Sequence, residues 1–300
     1  MAITKVTTPV TGFESNVDIG LKIPVGTNSN IPTGIEGMIR NDTDEDSGGT
    51  DSTTAITFYN GTDWKYFNST ESPEYPTSLK MFLDANNVTS NPGSGAIWTD
   101  LTTNSNNGAL VGSTFQSGTP KYVNIPGTDA SSVRVDLAGS GGTTQVTNLV
   151  GGTQPLTVQG YVYFSSLGSG YDYFFCLGNG GGGTIVSIAK EYNGRLYIYD
   201  GTSALFSTYT PSMNTWYNIA LTVTGTQYKL YINGVLEYSP AGASKNITTT
   251  TAQIGSYSNS SGSYGNNLTG RVGEFRIYHD VLPVADILAN FNATKATYGL

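Results

Sequence analysis

From residue 78 to the end, the chain repeats one pattern: short stretches in which apolar and polar residues alternate, separated by turns rich in glycine and asparagine. In LTVQGYVYF, Leu156, Val158, Val162 and Phe164 fall on one side and Thr157, Gln159, Tyr161 and Tyr163 on the other. That is the period of a strand with one face toward a core. In TWYNIALTVTG, Tyr217, Ile219, Leu221 and Val223 share a side; YKLYINGVLEYSP then turns back at Asn233-Gly234, and NGRLYIYDG opens on Asn193-Gly194. Asn-Gly pairs favour the positive backbone angles that tight hairpins need. Many short strands joined by such turns predict an all-β fold, a β-sandwich over residues 78–300. Near the end, Val284, Ile287, Leu288 and Phe291 recur at helical spacing behind Pro283. A short C-terminal helix is expected there, with that apolar stripe against a sheet.

The preceding residues read differently. Up to about residue 34 the chain is polar, with Pro9, Pro24 and Pro32, and reads as an extended arm. Residues 35–70 carry apolar stretches at Met38-Ile39 and Ile56–Tyr59, an acidic loop between them, and an Asn60-Gly61 turn before Trp64, Tyr66 and Phe67. This is the pattern of a small β-hairpin or meander module, too small to bury a good core alone. The segment 71–77, with Pro73 and Pro76, reads as a linker to the sandwich.

Composition removes several function classes. The net charge is -8 and the 14 basic residues are scattered, so no patch for phosphate neutralisation is expected and no nucleic-acid partner. No stretch approaches the roughly 20 apolar residues of a membrane span, and MAITKVTTPVTGFESN lacks the apolar core of a secretory signal, so no membrane insertion is expected. Cys176, the one cysteine, sits among aromatic residues in YDYFFCLG and reads as a buried small hydrophobe. The one histidine, His279, lies in a strand-like run and reads as structural. The acidic loop NDTDEDSGGTD has neither the glycine nor the glutamate of an EF-hand loop at the required positions and reads as a solvated hairpin tip.

The order of segments resembles the laminin-G/concanavalin-A-like jelly-roll domains over about residues 79–300. The resemblance begins with LKMFLDANNVTSNPGSGAIWTDLTTNSNNGALVGSTF, continues with TWYNIALTVTGTQYKLYINGVLE and closes with TAQIG and LTGRVGEFRIYHDVLPVADILANFNATKATYGL. The ending FNATKATYGL is similar to that of such domains in phage structural proteins. GMIRNDTDEDSGGTDSTTAITFYNGTDWKYF resembles a short motif of phage tail fibres, a Gly-Met-Ile-Arg start before a Tyr-Asn-Gly-x-x-Trp hairpin. These resemblances imply a bacteriophage virion structural protein: a tail fibre, head fibre or capsid decoration. Localisation at the virion surface is then expected, after assembly in the host cytoplasm without a signal peptide. The implied partners are other virion proteins, met through the N-terminal region, and a host-surface glycan. By analogy with fibres, a homotrimer organised by residues 1–76 is expected. The alternative is a non-phage extracellular glycan-binding module of a bacterial surface protein.

Within the resemblance, oxygen ligands for Ca2+ would be Asp84, Asp100 and Glu274, with Asn104 or Asn106 adding carbonyls. The same aspartates can instead cap turns. Where many relatives carry Asp-Glu in the last strand this chain has Gly273-Glu274, one carboxylate fewer. Catalysis is not expected: a glycosidase needs two carboxylates at defined separation, and the Glu-x-Asp-x-x-Glu run of laminarinase-like relatives is missing, with Glu191, Glu237 and Glu274 each isolated in sequence. For glycan binding the candidates are Tyr171, Tyr192, Tyr257 and Tyr264, all in Gly/Ser/Asn-rich loops. A tyrosine offers a ring face to sugar C–H groups and a hydroxyl to sugar hydroxyls.

Overall fold

The computed structural model describes residues 75–127, 133–137, 149–166, 170–179, 183–248, 251–259 and 264–300, and the backbone of four strands before them. The chain divides into two compact units, 1–74 and 75–300. In the first, β1 (Val25–Gly26), β2 (Ile39–Asp42), β3 (Ala55–Tyr59) and β4 (Trp64–Tyr66) form one sheet in that order. The pair β1/β2 is parallel and the others are antiparallel, with Tyr59 opposite Trp64 across the last hairpin. The acidic loop between β2 and β3 lies outside the described residues.

The second unit is a sandwich of two eight-stranded sheets. Across the first sheet run β15 (Ala204–Phe206), β14 (Leu196–Tyr199), β13 (Val186–Lys190), β12 (Asp172–Leu177), β19 (Ala252–Ile254), β10 (Arg134–Asp136), β7 (Gly108–Val111) and β6 (Ile97–Trp98). Across the second run β18 (Val235–Tyr238), β17 (Gln227–Ile232), β16 (Trp216–Thr224), β11 (Leu156–Phe164), β22 (Thr269–Tyr278), β9 (Tyr122–Pro126) and β8 (Thr114–Gln116), with β5 (Leu79–Asp84) also paired to β22. A small ribbon, β20 (Tyr257–Ser258) with β21 (Tyr264–Gly265), stands apart from both. The expected sandwich is therefore present, and its named strand pairs are antiparallel.

Alternation explains what lies between the sheets. Leu156, Val158, Val162 and Phe164 from β11 and Ile219, Leu221 and Val223 from β16 meet Phe175, Leu177, Val186, Ile188, Leu196 and Ile198 of the first sheet in one core. Each fully buried side chain of this size contributes about 1.5–3 kcal/mol of burial. At Asn233-Gly234 both residues take positive φ, 50° and 81°, and the backbone folds β17 onto β18 as expected.

The other side of β11 is not left to solvent. Helix α1 (Val284–Thr294) and a following 3-10 turn (Lys295–Tyr298) cover it. Gln159 donates from Nε2 to the Ile287 carbonyl and to Asn218 Oδ1, each at 2.9 Å, and the Tyr161 hydroxyl donates to the Phe291 carbonyl at 2.9 Å. The polar face of the strand is thus buried and paired, as low dielectric requires. This also corrects the expected apolar stripe. Ile287 and Phe291 are buried, but Val284 and Leu288 remain 54% and 41% exposed. A helix seated through Gln159, Tyr161 and Asn290 turns part of its apolar side outward.

Candidate functional site

The outward positions of the first sheet carry aromatic residues. On β14, Leu196 and Ile198 enter the core, so Tyr197 and Tyr199 point away from it. On β12 the register shifts between Tyr173 and Phe175, which places Phe174, Phe175 and Leu177 inward and Tyr173 and Cys176 outward. Tyr173, Cys176, Ile185, Ala189 and Tyr197 form one cluster, with Tyr199 and Tyr257 packed against it. Tyr257 lies 5.0 Å from Tyr173 and 6.3 Å from Tyr199, centroid to centroid. The loop residue Tyr171 sets its edge on Tyr197 at 5.3 Å and is 36% exposed. Phe206 closes the side at 5.5 Å from Tyr197.

The hydroxyls are organised as well. Tyr197 donates to the Tyr173 hydroxyl at 2.7 Å. Burial raises the Tyr173, Tyr197 and Tyr257 phenols above their ordinary range, so they stay protonated and remain both donors and acceptors. Cys176 beneath them is fully buried, and burial pushes its thiol up to about 12. It packs as the small hydrophobe expected from sequence. At the rim, the Arg195 guanidinium stacks 4.7 Å from the Phe206 ring and pairs with Glu191 at 3.0 Å. Tyr173 and Tyr197 are buried, so the surface open to a ligand is that of Tyr171, Tyr199 and Tyr257, which offers ring area and hydroxyls, the chemistry a sugar needs.

Of the four tyrosines singled out by sequence, the structure brings Tyr171 and Tyr257 together. Tyr192 is separate: it is 59% exposed on the turn between β13 and β14 and makes no ring contact with the cluster. The backbone of Tyr264 pairs with Ser258, and its side chain lies outside the described residues. Tyr173, Tyr197 and Tyr199 lie on strands, outside the Gly/Ser/Asn-rich loops that point to the other four. For Tyr197 and Tyr199 the signal is the alternation in NGRLYIYDG, which puts both on the side opposite Leu196 and Ile198.

Of the three carboxylates expected as Ca2+ ligands, Asp100 and Glu274 are already engaged by protein groups. Asp100 is occupied by donors: Oδ1 accepts from the Phe82 and Thr102 amides at 2.8 and 3.0 Å, and Oδ2 accepts from Thr102 Oγ1 and the Asn106 amide at 2.7 and 2.9 Å. It organises the loop after β6, the turn-capping alternative. Asn104 and Asn106 also spend their side-chain amides on backbone carbonyls, of Leu79 and Lys80. Glu274 Oε1 is 2.7 Å from Arg276 Nε and only 2% exposed. Among the described residues no three His, Cys, Asp or Glu side chains are grouped to hold a metal ion.

Glu274 is not isolated in space, however. Strands β22 and β5 place it opposite Asp84, a pairing across 190 positions that no local run announces. This corrects the reading of Glu274 as a lone carboxylate. Burial raises its carboxyl to about 7, with Arg276 pulling down and Asp84 pushing up; burial likewise raises Asp84. The pair lies under the C-terminal segment, where Asn86 donates to the Tyr298 hydroxyl at 3.0 Å and Tyr298 stacks on Tyr161 at 3.8 Å. Gly273 is required there, because any side chain would collide with the Tyr298 ring.

A family model described as the concanavalin A-like lectin/glucanases superfamily matches residues 137–288. Among solved structures, Trypanosoma rangeli sialidase in complex with 2,3-difluoro-KDN is similar with a TM-score of 0.54 at 15% identity, over 74% of this chain and 34% of that one. The binding domain of botulinum neurotoxin serotype D/C is similar with a TM-score of 0.52 at 14% identity, over 72% of this chain and 52% of that one. The chain therefore spans about a third of the sialidase and half of the toxin chain. No curated protein sequence matches it. A two-sheet antiparallel sandwich closed by a C-terminal helix, matched by the family model over half of its residues, belongs to the concanavalin A-like lectin/glucanases superfamily.

Proposed function

We propose that the chain is a non-catalytic, carbohydrate-binding structural protein of a bacteriophage virion, with the tyrosine face of the first sheet as its glycan contact. One observation carries the binding half of this reading: Tyr171, Tyr199 and Tyr257 reach solvent on the outer face of the first sheet, seated on the buried Tyr173 and Tyr197, whose hydroxyls bond to each other. Tyrosines add little rotamer cost when they bind and offer both apolar area and hydrogen bonds. The phage half is supported by the tail-fibre-like stretch at residues 37–67 and by the ending FNATKATYGL. In this reading residues 1–76 attach to other virion proteins and assemble a homotrimer, and the sandwich faces the host. Glu274 and Asp84 take no part in hydrolysis, because Arg276 neutralises one and the C-terminal segment lies over both.

Two measurements check the proposal. On an array of bacterial surface oligosaccharides, the full chain is expected to retain at least one glycan, and Tyr171→Ala should weaken that binding roughly fivefold to tenfold, the loss of one ring contact. An array with nothing retained would remove the binding half. Mass spectrometry of purified phage particles is expected to find the chain as a stoichiometric component. Its presence only in a bacterial cell-surface fraction would favour the glycan-binding module outside phage.

A further inference from the structure

The outer face of the second sheet carries a different constellation, beside the C-terminal 3-10 turn. Strand register aligns Trp216 with Tyr163, Tyr163 with Arg271, and Arg271 with Asn124, across four adjacent strands. The Arg271 guanidinium lies 4.4 Å from the Tyr163 ring and 4.6 Å from the Tyr122 ring. Trp216 backs this pair, 5.4 Å from Tyr163 and 6.3 Å from Tyr122, and Tyr298 stands beside Trp216 at 5.0 Å as a wall. Trp216 and Tyr298 are buried, while Arg271, Tyr122, Tyr163 and Asn124 are half-buried and reach solvent.

Arg271 differs from the other arginines of this unit. Arg134, Arg195 and Arg276 each pair with a carboxylate, Asp136, Glu191 and Glu274 respectively. Among the described residues Arg271 has no such partner and its side chain makes no hydrogen bond; the rings alone hold it. Two ring faces fix the plane of the guanidinium and leave its N–H edge free. A planar donor fork of this kind matches a carboxylate, bidentate and charge-assisted. The adjoining tyrosine rings, with the Asn124 amide on the same row, supply the apolar and hydrogen-bonding surface of a sugar subsite.

We propose that Arg271, Tyr122, Tyr163, Trp216 and Asn124 form a second saccharide site, selective for a sugar residue that carries a carboxylate, such as a uronic acid. It lies on the opposite sheet from the tyrosine face and does not depend on that assignment. The guanidinium takes the carboxylate, and a half-buried ring takes the C–H face of the sugar.

The test is a chemical-shift titration of the full chain with the methyl glycosides of glucuronate and galacturonate, with their methyl esters and acetate as controls. At least one uronate is expected to bind and to shift resonances of residues 122–124, 163 and 271. Esterification should weaken it about tenfold or more, the worth of one charge-assisted fork. Arg271→Gln should do the same. Asn124→Asp, a change at a half-buried surface position that leaves the core intact, should abolish binding by placing a carboxylate opposite the guanidinium. Tyr171→Ala should leave uronate binding unchanged, so a failure of the tyrosine face and a failure of this site read out separately. No shifts with either uronate, equal affinity for acetate, or binding undiminished in Arg271→Gln and Asn124→Asp would each overturn the proposal.

Discussion

Replacing Arg276 with Met is expected to destabilise the sandwich by about 3–5 kcal/mol at pH 8 and by distinctly less at pH 5. Three contacts are lost together: the ion pair to Glu274 at 2.7 Å, the hydrogen bond from Nη1 to Asn290 Oδ1 at 2.7 Å, and the stacking over the Phe82 ring at 4.1 Å. The larger part comes from what remains. Glu274 is 2% exposed with Asp84 opposite it, so an ionised carboxylate would be left without a counter-charge in low dielectric. The pH dependence follows from the raised carboxyl. Burial already holds Glu274 at about 7, above the 4.5 of a free glutamate, so the folded state binds a proton that the unfolded state has lost between those values. Stability from this group is therefore complete below about 4.5 and falls as pH rises through about 7. Asp84, raised by the same burial, acts in the same direction. Without Arg276 the Glu274 carboxyl moves higher still, and acid restores a neutral group that can stay buried. Urea unfolding of the two proteins at pH 5 and pH 8 measures this, and an equal loss at both values would show that the charge on Glu274 is not the cause.

How far the sequence reaches can be seen strand by strand. The inward set of β11 was readable from LTVQGYVYF because alternation needs only one strand and one core. The hairpin at Asn233-Gly234 was readable because positive φ at two consecutive positions selects those residues. What covers the outward set was not readable. Gln159 and Tyr161 look like solvent-facing positions until α1, more than a hundred residues later, supplies carbonyls for them. The same limit hid Glu274 and Asp84, whose juxtaposition depends on β22 lying between β11 and β5. At the tyrosine face, loop composition found Tyr171 and Tyr257 but also picked out Tyr192, which stands alone on its turn. Loop chemistry identifies residues able to bind; only the sheet order says which of them meet.

Phe275→Ala is expected to cost about 3–5 kcal/mol, a large share of the roughly 5–15 kcal/mol that holds a domain folded. Phe275 is fully buried at the centre of β22, with Leu83 of β5 on one side and Gly160 of β11 on the other. Its ring joins the two sheets: it meets Phe174 edge-on at 5.7 Å and 86°, and Phe175 at 5.8 Å and 66°. The two first-sheet rings also touch each other, with Phe174 and Phe175 5.5 Å apart. Gly160 leaves no slack for relaxation from the side, because a Cβ there would already collide with the Glu274 carbonyl. The space vacated by the ring therefore stays largely open, and the loss adds a cavity to the lost burial. Phe275→Leu keeps most of the volume and should cost less than half as much, which separates a cavity effect from a change of strand register. The consequence extends to binding. Phe174 and Phe175 lie on β12 beside Tyr173, so loosening their inner packing should lower glycan retention at the tyrosine face before the protein unfolds. Urea midpoints for the two variants, read beside their binding on the same oligosaccharide array, decide it: a Phe275→Ala protein as stable as the parent would mean that the two sheets are held together elsewhere.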